Sequence, residues 1–73
     1  MTPKVLWLAK EIVAKYVSYH FTDWHTCVDE VVDTLSESQG TTYTQREIDK
    51  ASDAAWEVAE QMEEAWKAKF PTP

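Results

Sequence analysis

Between Thr44 and Phe70-Pro71 this chain runs for twenty-five residues without a glycine or a proline. That uninterrupted stretch limits the fold more than any other feature. Its start is explicit: Thr44 caps, Glu47 follows three residues later to close a capping box, and Tyr43 and Ile48 flank the box as a hydrophobic staple. Ile48, Ala51, Ala55, Val58, Met62 and Ala65 then recur three and four residues apart, the a/d spacing of a helical seam. A helix over 45–69 is expected, about 36 Å long at 1.5 Å per residue. Phe70-Pro71-Thr72-Pro73 cannot extend it.

The rest of the chain is also helical in pattern. Thr2 caps and Pro3 fits the first helical position, where no N–H is needed. Val5, Leu8, Ala9, Ile12, Tyr16 and Tyr19 form a stripe that Leu6, Val13 and Val17 widen. So broad an apolar face calls for two covering neighbours. Trp7 lies off the stripe. Phe21-Thr22-Asp23 breaks the pattern, with Thr22 or Asp23 placed to cap a second helix. Trp24, Cys27, Val28, Val31, Val32 and Leu35 follow a 3.6 period and do not alternate, so the valines argue for helix over strand. Gly40, the single glycine, suits a left-handed helix end.

Seventy-three residues support one small domain, and short links make the three helices run up, down and up. The expected fold is all-α: a small three-helix up-down-up bundle with a long C-terminal helix, a single helical domain over 1–73 with helices at about 3–20, 23–38 and 45–69. Four Trp, three Tyr and two Phe add large contact areas to a small core. Tyr16, Tyr19, Phe21, Trp24, Met62, Trp66 and Phe70 are expected at one end. Val5, Leu8, Leu35, Ile48 and Ala51 are expected at the other. The third helix overhangs its neighbours and leaves apolar surface near Met62 and Trp66.

One cysteine allows no intrachain disulfide and fits a reducing compartment. The N-terminal apolar run, Val5 to Ala9, is too short for a signal peptide, and nothing approaches a membrane span. A cytoplasmic protein is the expectation. Net charge is −6, and its distribution is uneven: residues 1–20 carry +2, residues 21–64 carry −10 and residues 65–73 carry +2. Direct binding to nucleic acid or to an anionic membrane is disfavoured.

Several features carry functional expectations. Asp29, Asp33 and Glu37 stand four apart on the second helix, and Asp49, Asp53 and Glu57 do so on the third, continued by Glu60 and Glu64. Like charges at this spacing cost a helix about 0.2–0.5 kcal/mol per pair, so a purely solubilising face has no need of a single sign. The rows suit a docking face for a partner protein with a basic surface, with Trp56 as an aromatic anchor beside them. Acid pairs four apart lie about 6 Å from each other along the axis, so the rows also suit mimicry of DNA phosphates toward a nucleic-acid-binding protein. Trp7 is a second displaced aromatic. Alanines at 51, 54, 55, 59, 65 and 68 would let a twin copy approach, which makes a homodimer through the third helix the alternative.

His20, His25 and Cys27, with Asp23 and Glu30 nearby, contain metal-ligand residue types, but their spacing matches no established zinc pattern, and position 27 falls on the core stripe. No metal and no cofactor is expected. There is no Gly-rich phosphate loop, nucleophile elbow or backbone nest, so no enzymatic activity is expected either. The functional expectation is an interaction module that binds and modulates or inhibits a larger partner. Phage-encoded host modulators, immunity proteins and antitoxins are analogues in size and charge only.

Overall fold

The computed structural model describes residues 1–71 and contains three helices: α1 Pro3–Ser18, α2 Trp24–Gln39 and α3 Gln45–Lys69. No strand occurs among the described residues, and no helix is long and apolar enough to cross a membrane. The backbone fills about 42 × 22 × 16 Å. Thr72 and Pro73, expected to lie beyond the last helix, fall outside the described residues.

The third helix begins as its sequence dictates. The Glu47 N–H donates to Thr44 Oγ1 at 3.2 Å, and the Thr44 N–H donates to Glu47 Oε1 at 2.9 Å. Tyr43 and Ile48 both pack against the main core. At the first helix the Val5 N–H donates to Thr2 Oγ1 at 3.3 Å, with Pro3 in the first turn.

The packing follows the breadth of the first helix's apolar face and its expected need for two covering neighbours. α1 packs against both α3 and α2, most extensively against α3, whereas α2 and α3 barely meet along their backbones. Leu8 and Ile12 are completely buried, and Val5, Ala9 and Tyr16 nearly so. The breadth of the α1 stripe is what lets it serve two neighbours.

The expected seam on α3 turns partway. Its buried line is Ala51, Ala55 and Ala59, spaced four apart, while Val58 is 51% exposed and Met62 40% exposed. A row spaced four apart is a ridge inclined about 26° to the helix axis, so it leaves the a/d row after Ala55 and puts Val58 and Met62 outside the contact. Three alanines on the line let α1 and α3 approach closely.

The aromatic end forms as expected and gains Trp56 while losing Met62. The Tyr16 ring lies 4.9 Å from Trp24 and 6.1 Å from Trp56, and Trp24 and Trp56 are 5.0 Å apart. Phe21 sits 5.7 Å from Tyr16 and 6.1 Å from Trp66, which stacks toward Phe70 at 4.6 Å. These pairs, all edge-on or tilted, bridge α2 to α3 where the helices themselves barely meet.

The α1–α2 turn is a further departure. α1 ends at Ser18 and not at 20, and α2 starts at Trp24 after Asp23. Neither Thr22 nor Asp23 supplies a side-chain cap. Asp23 is left-handed at φ 56°, and the Thr22 hydroxyl donates backward to the Tyr19 carbonyl at 2.6 Å. His20 and Phe21 are left-handed too, at φ 57° and 59°. This reversal lets the Phe21 N–H reach the Tyr16 carbonyl at 2.9 Å. At the other turn Gly40, at φ 63°, closes α2 through its N–H to the Leu35 carbonyl, with open space where a Cβ would sit.

Two stability predictions follow from these contrasts. Ile12→Ala should cost about 3–4 kcal/mol by emptying a fully buried site, whereas Val58→Ala should cost about 0.5 kcal/mol or less; urea unfolding followed by circular dichroism reads both. By the same measurement Gly40→Ala should destabilise by about 1 kcal/mol through backbone strain alone. His20→Gly, which relieves that strain, should be neutral or stabilising by up to about 1 kcal/mol.

Candidate partner-binding surfaces

The acidic residues divide into two sets. Glu30, Glu47 and Glu63 are engaged within the fold. Glu47 receives the Thr44 N–H and the Lys4 ammonium at 3.2 Å. Glu30 accepts the Tyr19 hydroxyl and pairs with Lys15 at 3.5 Å. Glu63 accepts the Tyr16 hydroxyl at 3.1 Å and pairs with Lys67 at 2.7 Å. Each carboxyl is held below the ordinary range: Glu47 chiefly by the Thr44 backbone N–H, Glu30 by the Tyr19 hydroxyl and Glu63 by the Lys67 ammonium. Tyr16 is pushed up, first by burial and then by Glu63.

The second set is the one singled out from sequence. Asp29, Asp33, Glu37, Asp49, Asp53, Glu57, Glu60 and Glu64 are all exposed, and none forms an ion pair among the described residues. Only Asp49 has an internal partner, the Gln45 side-chain amide at 3.0 Å. The fold does not merge the two rows. Asp29, Asp33 and Glu37 stay on α2, while Glu57, Glu60 and Glu64 converge with Gln61 on α3 around a shallow polar depression of about 510 Å³. Trp56 is 41% exposed. One side of its ring rests on Trp24 and Tyr16, and helical spacing places Asp53 and Glu60 beside it. Trp7 is exposed to a similar degree, with the Lys10 ammonium 5.3 Å over its ring.

The His20, His25 and Cys27 group disperses. Cys27 is fully buried, with its thiol 3.7 Å from the Thr22 carbonyl, and burial pushes that thiol up. His20 and His25 are exposed, and no cluster of three His, Cys, Asp or Glu suited to a metal ion occurs among the described residues.

A second surface was anticipated only in part: the apolar surface expected near Met62 and Trp66 is exposed, but its α1 wall was not singled out. Leu6, Val13 and Val17 of α1 face Ala54, Val58 and Met62 of α3 across an open groove of about 550 Å³. Its lining is apolar except for Lys10, and Leu6 is 60% exposed. The signal was present in the residues that widen the α1 stripe and in the outer half of the α3 seam. Leu6, Val13, Val17 and Val58 read as core until the ridge of α3 that meets α1 is known.

Among the described residues the chain is thus an all-helical three-helix protein with separate acidic rows on α2 and α3 and an apolar groove between α1 and α3. No family model, curated protein or solved structure matches it.

The three engaged carboxylates carry a pH prediction. Their lowered values mean that the stability they contribute is complete above about pH 4.5, the unperturbed value, and is lost as pH falls through the folded values. The melting temperature should therefore drop as pH falls below about 4.5. Replacing Glu30, Glu47 and Glu63 by Gln should lower it at neutral pH and flatten that acid limb.

Proposed function

We propose that this chain is a protein–protein interaction module whose acidic outer face, centred on α3, binds and modulates a larger protein through that partner's basic surface. The observation that carries the reading is the division of the acids. Carboxylates that stabilise the fold each have a cation or hydroxyl donor, whereas Asp53, Glu57, Glu60 and Glu64 have none and face solvent on one helix. Repulsion along that helix is a cost that the fold itself does not require. A Lys- or Arg-rich surface relieves it on contact and is drawn in by the field of the whole face. Trp56 supports the reading by offering a rigid ring among these charges, pre-set by Trp24 and Tyr16, so little side-chain freedom is lost on binding.

The helical rise sets the spacing of the acids at about 6 Å per four residues, which suits a partner with evenly spaced cations. A nucleic-acid cleft is one such surface, and competition by duplex DNA for the captured partner distinguishes it from other basic surfaces.

The test is affinity capture from lysate of cells that carry the gene. Wild-type chain should retain a partner that is released as salt rises from about 0.05 to 0.5 M. The variant Asp49→Asn, Asp53→Asn, Glu60→Gln should lose it with helicity unchanged. Equal capture by the variant and wild type would overturn the proposal.

A further inference from the structure

We infer that the turn between α1 and α2 is a strained hinge that opens to pass α1 to a second copy of this chain, giving a dimer in which each α1 packs against the α2 and α3 of the other copy. This stands on the turn and on the order of packing, not on the acidic face, so it is independent of the function proposed above.

The hinge has the wrong residues for its shape. Between Ser18 and Trp24 the chain reverses through five residues, of which His20, Phe21 and Asp23 are left-handed at φ 57°, 59° and 56°. Glycine adopts that backbone freely, whereas a Cβ crowds the following carbonyl oxygen. The single glycine of the chain lies at the other turn. Short hinges under strain favour exchange of the element they carry. Closure is held by the Phe21 N–H on the Tyr16 carbonyl and by the Phe21 ring against Tyr16 and Trp66. One hydrogen bond and two ring pairs return less than three left-handed residues cost. Released from the turn, five residues span up to about 17 Å, enough to carry α1 away from its own chain.

The packing order names α1 as the exchanged element. It is terminal, so one hinge suffices. It packs against both α2 and α3, which barely meet each other. Both ion pairs between helices start on α1, at Lys4–Glu47 (3.2 Å) and Lys15–Glu30 (3.5 Å). All of these contacts re-form when α1 docks on a second copy, and only the turn changes. Without α1, little links α2 to α3 beyond the Trp24 and Trp56 rings, so exchange passes through the unfolded chain. The dimer therefore forms on refolding at high concentration and, once formed, reverts slowly.

The full chain, unfolded in urea, is refolded at about 1 mM and at about 10 µM, and size exclusion with light scattering reads both at equal final concentration. Refolding at the higher concentration should give a peak of twice 8.4 kDa that persists for hours after dilution, and refolding at the lower one should give monomer alone. Co-refolding of nitrogen-15-labelled and unlabelled chains, then carbodiimide coupling, should join Lys4 to Glu47 and Lys15 to Glu30. Mass spectrometry should find mixed-isotope pairs in the dimer peak and single-isotope pairs in the monomer peak. His20→Gly with Asp23→Gly relaxes the closed turn and keeps Phe21. It should lower the dimer yield about tenfold or more with circular dichroism unchanged, and His20→Gly alone should lower it about threefold. The absence of a dimer at about 1 mM, or one that dissociates within minutes of dilution, would overturn the exchange. So would single-isotope pairs in the dimer peak, or a yield that the glycine variants leave unchanged. The Asn/Gln variant of the acidic face leaves hinge and core untouched and should exchange as the wild type does, which keeps the two proposals separable.

Discussion

Complete burial of Leu8 and Ile12 on α1 is the constraint on which the other contacts depend. With only two neighbours, and those two scarcely touching each other, the core cannot be shared evenly among three helices. It is arranged instead as two interfaces back to back on one short rod. The α1–α3 interface is narrow because Ala51, Ala55 and Ala59 bring the backbones together. The α1–α2 interface uses Val28, Val31 and Leu35, which are bulkier and β-branched or γ-branched.

The aromatic end compensates for what this arrangement lacks. Where α2 and α3 diverge, Trp24, Tyr16 and Trp56 fill the gap with edge-on rings. The strained turn belongs to the same device. Three non-glycine residues in left-handed backbone cost about 1 kcal/mol each or somewhat more, yet they aim Phe21 between Tyr16 and Trp66. The ring contacts and the hydrogen bond from the Phe21 N–H to Tyr16 hold the turn against its strain. A glycine there would relax the backbone, but position 21 would lose its ring.

Electrostatics follows the same division between fold and surface. Lys4, Lys15 and Lys67 each meet one acid close to the core, at the two ends and on the α2 side of α1. The Lys4–Glu47 and Lys15–Glu30 pairs link neighbouring helices, whereas Lys67–Glu63 lies within α3; all are exposed or half-exposed and contribute little stability each. Most of the remaining acids lie on outer faces, while Lys10 lies beside an apolar groove with its ammonium over the Trp7 ring.

The amino-acid sequence alone determined the helices, because capping, breaker placement and a 3.6 period are local properties. The Thr44–Glu47 box, the Pro3 start and the Gly40 stop all lie where those rules put them. It also determined which carboxylates are exposed, since residues opposite an apolar stripe must face water. It could not determine whether Val58 is covered, or whether Glu30, Glu47 and Glu63 differ from the other acids. Those questions turn on interhelical angle, on which ridge of α3 meets its neighbour and on partners up to 47 residues away in the chain. Only the packed structure supplies such distances, and so only it separates an apolar residue that is core from one that lines an open groove.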